Sequence, residues 1–406
     1  MRGVHALGTL SLAVLASAPA AGQELDRAAP LIEAPKEYSA TAIRIGKSAL
    51  YLGIDVRGEY IDNIYALPED RIGDFRLTAI PRTSLTLDND RFRLAMRAQA
   101  AVRRYADHQT ENSVSGLLAL DGQWRLSQAD TLSFSSAITR AVEDRGTPES
   151  QRNPAASPRK SNILTSELGY RHTGGRIVLA TRAAAMRNDA LRRIDRERDF
   201  NQWSLQARAG FRASGTSQFF GEGFVTRRNF DEATDRSGIN RDSRTFGGRG
   251  GIEIDPGGFL RGEAAIGLFR FNPDDSSLES RTGVSGSVSL IYQPRERLAF
   301  TLDAFSGDVA TVRNGAQART DSRLRFGIQQ EIYHNLRWQA GLTYLRTNYI
   351  GNPDSEKSFG GIAEVEYLVS RRVAVALQGR HSTRKSTDPL DEYRRNSIGL
   401  ELRLQY

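Results

Sequence analysis

From about residue 48 to the end of the chain, apolar and polar residues alternate with a period of two. In Phe75-Arg76-Leu77-Thr78-Ala79 the apolar positions are odd, and in Phe92-Arg93-Leu94-Ala95-Met96-Arg97-Ala98 they are mainly even. The same dyad returns in Trp203-Ser204-Leu205-Gln206-Ala207-Arg208, in Leu324-Arg325-Phe326-Gly327-Ile328 and in Ile398-Gly399-Leu400-Glu401-Leu402-Arg403-Leu404. Successive side chains of a strand point to opposite faces, so this spacing predicts strands with one apolar and one polar face. Eighteen runs carry it, at 48–61, 74–87, 91–104, 113–126, 131–142, 162–171, 176–187, 200–212, 217–228, 243–254, 259–271, 281–292, 297–307, 322–333, 336–347, 357–368, 373–381 and 393–406. No segment holds a 3.6-residue period over three turns. Ala183 to Ala185 is compatible with helix, but its flanks alternate.

The connections alternate too. After each even-numbered run they are short, as in Asp88-Asn89-Asp90, His172-Thr173-Gly174-Gly175, Asp255-Pro256-Gly257-Gly258 and His334-Asn335, with the Gly, Asn, Asp and Pro chemistry of tight hairpins. After most odd-numbered runs they are longer and charged, as at 143–161, 229–242, 308–321 and 382–392. Short turns on one side, long polar loops on the other and an even strand count predict an all-β fold. It is a transmembrane antiparallel up-and-down β-barrel of about 18 strands in the bacterial outer membrane. Lipid offers no water to an open sheet edge, so the sheet must close.

Composition fits this partition. Only 39% of the 406 residues are hydrophobic, too few for a large packed core, but enough for one face of a wall. Residues 1–22 read as a secretory signal peptide: Arg2, an apolar stretch from Ala6 to Ala16, then Ala18-Pro19-Ala20-Ala21-Gly22, with cleavage after Ala20 or Gly22. Residues 23–47 are then a periplasmic lead-in, of which Gln23 to Ala34 is either an unstructured approach or a tether to a partner, and 48–406 the barrel. Export removes nuclear and cytoplasmic nucleic-acid roles despite a net charge of +8. With no cysteine there is no disulfide framework, thiolate metal site or cysteine nucleophile.

The last strand places Ile398, Leu400, Leu402, Leu404 and Tyr406 on alternate positions. It resembles the terminal signal read by the bacterial barrel-insertion machinery, with Leu402, Leu404 and Tyr406 as its core. Trp124, Trp203, Trp338, Tyr170, Tyr292, Tyr344 and Tyr367 fall near strand ends and are candidates for interfacial girdles. The partners expected of such a wall are outer-membrane lipid and lipopolysaccharide.

The polar phase is rich in arginine, which makes up 51 of the 56 basic residues. Arg76, Arg82, Arg93, Arg97, Arg182, Arg208, Arg249, Arg261, Arg323, Arg325, Arg337, Arg380 and Arg403 are the pore-lining candidates, with Arg57, Arg103, Arg125 and Arg171 in the same phase. Against these 17 arginines stand 12 carboxylates, among them Asp55, Glu59, Glu222, Glu364, Glu366 and Glu401. Such a surplus biases a lumen toward anions. Equally, cross-strand Arg–carboxylate pairs brace any wide wall, so single arginines read as bracing. Two runs leave the phase open: Phe219-Phe220 gives an aromatic to both faces, and 178–186 is small or apolar on both.

Catalysis finds no arrangement. His381 with Asp388 or Asp391 is the best grouping, but nothing supplies an oxyanion hole beside it. There is no HxxxH and no calcium-loop spacing, so neither a metal nor a cofactor is expected. Gly247-Gly248-Arg249-Gly250-Gly251 precedes no helix, and reads as room for close packing in a strand.

Gly58-Glu59-Tyr60-Ile61-Asp62-Asn63-Ile64-Tyr65, Arg228-Asn229-Phe230-Asp231 leading into Asn240-Arg241-Asp242-Ser243, and Gly267-Leu268-Phe269-Arg270-Phe271-Asn272-Pro273 resemble strand ends of a known family. It is the family of outer-membrane β-barrel porins found with bacterial exopolysaccharide and capsule genes. The resemblance spans about residues 48–406 and departs at Phe230 and Phe271, where such proteins usually carry Tyr. It implies a translocation conduit for exopolysaccharide or capsular polysaccharide, with periplasmic export proteins as partners and an acidic polysaccharide as cargo. Two other readings stay open: a general diffusion porin with anion preference, and a surface scaffold or adhesin using the loops at 143–161 and 382–392.

Overall fold

The computed structural model describes residues 31–406 except 33, 151, 237, 255–257, 312, 314–315 and 317. The signal segment 1–22 and the lead-in up to residue 30 lie outside the described residues, as does most of the turn expected at 255–258. A short strand, β1 (Ile43–Ile45), precedes β2 (Ser48–Ile61), β3 (Asp74–Asp88), β4 (Phe92–Tyr105), β5 (Ser113–Arg125), β6 (Asp130–Val142) and β7 (Lys160–Gly174). Next come β8 (Ile177–Ala190), β9 (Phe200–Arg212), β10 (Ser217–Phe230), β11 (Ser243–Ile254), β12 (Leu260–Pro273) and β13 (Arg281–Arg295). The chain ends with β14 (Leu298–Val309), β15 (Ala318–Tyr333), β16 (Leu336–Ile350), β17 (Ser355–Leu368), β18 (Val373–Ser386) and β19 (Tyr393–Gln405). Each strand from β2 to β19 pairs antiparallel with its sequence neighbours, and β19 pairs with β2 from Ser397↔Ile61 to Gln405↔Gly53. The result is a closed 18-stranded antiparallel barrel with no free edge.

All eighteen alternating runs are strands of this barrel, but several run on at the loop end. The largest extension is in β18, expected to stop at 381 and ending at Ser386. The long loop expected at 382–392 is therefore a short connection carrying one 3-10 turn, Pro389–Asp391. The reason is chemical. Beyond the apolar band both faces of β18 are polar (Ser382, Thr383, Arg384, Lys385), so the hydropathy alternation vanishes while the hydrogen-bond ladder continues. His172, expected in a turn, is likewise in β7, opposite Asp130.

The convex face carries the apolar phase. Trp203, Ile398 and Leu400 are about three-fifths exposed, as lipid-facing side chains are in an isolated barrel. Leu402 and Leu404 share that face, while Tyr406 lies under the Arg372 guanidinium at 5.0 Å and its N–H donates to Leu52 O. The two ambiguous runs resolve cleanly: Phe219 points out and Phe220 in, while Val178, Ala184 and Met186 are buried inside. Tyr344 is not at the end of β16, which continues six residues past it, through an outward Arg346 and Asn348, to Ile350.

The concave face is not uniformly polar. Ala141, Ile163, Ala184, Met186 and Phe200 form one apolar cluster, against which Phe230 and Ala310 pack. Phe269, Phe271, Ala318 and Ile350 form another, with Phe224 against it. In β11, a Cβ on Gly247 or Gly251 would stand 2.7 Å from the Phe224 ring or 2.6 Å from the Phe220 ring. The glycine run thus gives these inward aromatics the space to lie flat on the strand. The lead-in also differs from an unstructured approach. Residues 43–45 turn through Gly46, at φ +60°, to pair with the start of β2. Farther up the chain, Ile32 is buried and the Leu31 N–H donates to Gln329 Oε1 at 2.9 Å.

Candidate functional site

The register places all thirteen arginine candidates on the concave face, and ion pairs that jump over strands mark that face as the inner one. Arg403 on β19 reaches across β18 to Glu364 on β17 at 2.9 Å, and Arg208 on β9 reaches Glu263 on β12 at 2.8 Å. Only inward curvature brings such side chains together.

Most of these arginines are spoken for. Arg403 also pairs with Glu366 and, at 2.5 Å, with Glu401; Arg337 joins Glu366 at 2.6 Å, and Arg57 joins Glu401 at 2.6 Å. Arg76 holds Glu59 at 2.8 Å and Arg82 holds Asp55 at 2.7 Å. Arg208 and Arg249 share Glu222 at 2.7 and 2.5 Å, with Arg208 stacked on Phe220 at 3.8 Å. Arg182 pairs with Glu167 at 2.9 Å, while Arg93–Asp88 and Arg97–Asp121, both 3.0 Å, are the solvent-exposed pairs. Arg261 donates to Gln293 and Arg380 to Gln378. These arrangements satisfy buried carboxylates and fix the wall. Breaking one leaves an uncompensated buried charge.

Arg323 and Arg325 differ. Neither makes a hydrogen bond or an ion pair among the described residues. The acids that could serve them have other partners: Asp303, directly opposite Arg325 in register, accepts from Ser289 at 2.9 Å. Asp321 is held by Arg319 at 3.2 Å and by Thr347 at 2.9 Å. Both arginines belong to the inner row of β15, which runs Arg319, Asp321, Arg323, Arg325, Gly327, Gln329 from the loop end toward the turn end. That row spans about 33 Å at strand rise.

The two ends of the row are occupied. At the turn end, Gln329 receives Leu31 of the lead-in. At the loop end, the connection between β6 and β7 crosses the barrel. β6 and β15 are nine strands apart in a ring of eighteen, so they face each other across the full diameter. Yet Glu149 of that connection accepts from Thr311 Oγ1 at 2.5 Å and pairs with Arg319 at 3.2 Å. Its φ of +64° is one of three positive values at non-glycine residues among the described residues, a conformation that costs about 1–3 kcal/mol and persists only where the surroundings impose it. Here Arg159 and Arg198 both donate to its carbonyl at 3.1 Å. The rest of the crossing is clasped as well. Arg384 donates to Thr147 O, the Tyr393 hydroxyl to Gly146 O and Arg395 to Arg145 O. Arg145 pairs with Glu111 at 2.6 Å, and Arg152 with Asp388 and Asp391, both at 2.7 Å. The Arg152 hydrogen bond and the Leu390 N–H hold the Asp388 carboxyl below its ordinary range. The sequence flagged residues 143–161 as a long proline-bearing loop but gave no sign that it folds inward. Its arginines and acids find partners from other loops and strands, which are unknowable without the closed ring.

Other expected groupings come apart. His381 Nδ1 contacts Asn396 at 2.7 Å, one strand over on the convex side, while Asp388 and Asp391 are bound to Arg152. The exit motif at 58–65 turns out to be a clasp at the barrel seam. The buried Asn63 side chain donates to Leu67 O and Arg394 O and accepts from Leu67 N–H, and Asp62 accepts from Asn396. Among the described residues no group of three or more metal-ligating side chains occurs.

The sequence signature of the family described as Putative beta-barrel porin 2 matches residues 34–406. The chain belongs to this family. It is a family of porins rather than of enzymes, and an outer-membrane barrel is what the strands build. No curated protein matches. Solved structures with a similar chain course include the siderophore receptor PirA from Pseudomonas aeruginosa, at 11% identity and a TM-score of 0.40 over 88% of this chain and 80% of that one. They also include the copper transporter OprC, at 10% identity and 0.48 over 90% and 81%. A third is the outer membrane protein opdK from Pseudomonas aeruginosa, at 12% and 0.41 over 88% and 99%.

Proposed function

We propose that this porin-family barrel, inserted in the outer membrane after its signal peptide is removed, is a conduit for secretion of an acidic exopolysaccharide. The observation that carries the reading is the pair Arg323 and Arg325, inward guanidiniums without a partner among the described residues in a lumen whose other candidate arginines are bonded. Planar, bidentate donors two residues apart suit successive carboxylates on an extended chain. The strand-end resemblance to porins of exopolysaccharide and capsule clusters supplies the polymer, and periplasmic export proteins would deliver it. Deletion of the gene abolishes surface polysaccharide while small-solute uptake stays normal. Normal polysaccharide on the deletion strain overturns the reading.

A diffusion porin with anion preference is the second reading, favoured by the crossing loop. A connection clasped from Glu111 to Asp391 narrows the outer mouth in a way that suits small solutes better than a polymer. The same tethering argues against the adhesin reading, because Arg145, Gly146, Thr147, Glu149 and Arg152 are bound to the barrel and its other loops.

A further inference from the structure

The convex face bears a charge pattern that transport does not use. Arg346 on β16 lies directly opposite Lys357 on β17, and Lys357 lies directly opposite Lys385 on β18. Arg394 on β19 stands beside them, opposite Thr383. All four side chains are exposed, and Lys357 and Lys385 are two of only five lysines in the chain. Among the described residues none of the four forms an ion pair; Arg346 donates only to Asn348 Oδ1. Like charges directly opposite on one sheet face destabilise the pairing, so three in a row imply a counter-charge supplied from outside the chain.

Position says where it comes from. The cluster is at the loop end, immediately above the outward Tyr344 and Phe359 that cap the apolar band. In up-and-down barrels of this kind the long loops face the cell exterior. At the opposite, turn end of the same four strands the outward strand residues Leu336, Tyr367, Val373 and Leu404 are uncharged, and the cations there, Arg371 and Arg372, belong to the turn, with Arg372 stacked over Tyr406. A lipid with ordinary acyl chains and zwitterionic heads gives no reason for cations to face one another across neighbouring strands at this rim. A phosphorylated headgroup at the outer rim does.

We propose that Arg346, Lys357, Lys385 and Arg394 form a binding site for the phosphate groups of an outer-leaflet phosphoglycolipid, whose acyl chains lie along Tyr344 and Phe359. The lysines supply compact charges and the arginines forked donors, the usual pairing for phosphate recognition.

The test uses the full chain, purified without lipid and folded in neutral detergent, with bis-phosphorylated lipid A as probe and phosphatase-treated lipid A as control. Binding of the phosphorylated probe falls about tenfold in the double variant K357Q/K385Q. It is unchanged in R323Q/R325Q, whose side chains are inside the lumen. The double variant also unfolds at a higher temperature than the parent in neutral detergent, where the like charges have no counter-ion, and loses that advantage when the phosphorylated lipid is added. Equal binding of the phosphorylated and dephosphorylated probes, or equal affinity of parent and double variant, overturns the proposal. Heat-modifiable migration on gels verifies that each variant is a folded barrel. Because nothing here depends on cargo, failure of this site leaves the conduit reading untouched.

Discussion

The inner walls at β17–β19 and at β15 carry the same residue type to opposite ends. At β17–β19, Arg403 is 6% exposed and touches three carboxylates, Glu364, Glu366 and Glu401, while Arg57 closes the ring on Glu401. At β15, Arg323 and Arg325 face the same lumen, and the nearby acids have been taken by Ser289, Arg319 and Thr347. A guanidinium matched to carboxylates is bracing that replaces hydration lost on burial. One left unmatched in a wetted space keeps its charge available to whatever passes. The difference separates structural arginines from candidate cargo contacts more sharply than any count of basic residues.

That contrast can be broken by exchanging the two sites' sensitivity. The largest effect belongs to Arg403→Gln, which takes a cation from each of three crowded acids and leaves Glu366 and Glu401 to Arg337 and Arg57. The barrel loses about 3 kcal/mol of stability, read as a lower denaturant midpoint for the folded band on gels. A loss no greater than that of Arg325→Gln would mean that the β17–β19 network is not bracing. Next in size, Arg323→Gln/Arg325→Gln changes stability by less than about 0.5 kcal/mol. It nevertheless lowers the anion-over-cation permeability ratio about fivefold, as removal of roughly 1 kcal/mol of attraction in water, shared by the two charges, requires. Reversal potentials across a planar bilayer measure it, and an unchanged ratio would remove β15 from the transport path.

The smallest effect sharpens the picture of the crossing loop. Asp388 has its carboxyl pKa lowered by Arg152, so its contribution is complete above the unfolded value of about 3.9 and is lost only as pH falls through the lower folded value. The contact between the two loops therefore holds unchanged from pH 7 to 4 and loosens only in stronger acid. The chain has no cysteine of its own, so spin labels at Ala155→Cys and Leu390→Cys report the distance directly. Broadening already at pH 5 would show that Arg152 does not hold Asp388.

Much of the wall was legible because a strand writes its two environments on alternate residues. Leu400, Leu402 and Leu404 against Glu401 and Arg403 needed no partner strand to be assigned a face. The strand ends were harder. At Thr383 and Lys385 both environments are water, and only the hydrogen-bond ladder continues. Least legible were Glu149 and the lead-in at Leu31, whose placement depends on residues 170 and 298 positions away in the chain.

By itself, then, the sequence determined the alternating wall, its eighteen members and the inward phase of its arginines, since these follow from local periodicity and turn chemistry. Only the closed ring decided which arginines found carboxylates, which loop crossed to the far wall and which cations met across neighbouring strands on the outside. Those outcomes depend on register and curvature, and both arise only when every strand has its neighbours.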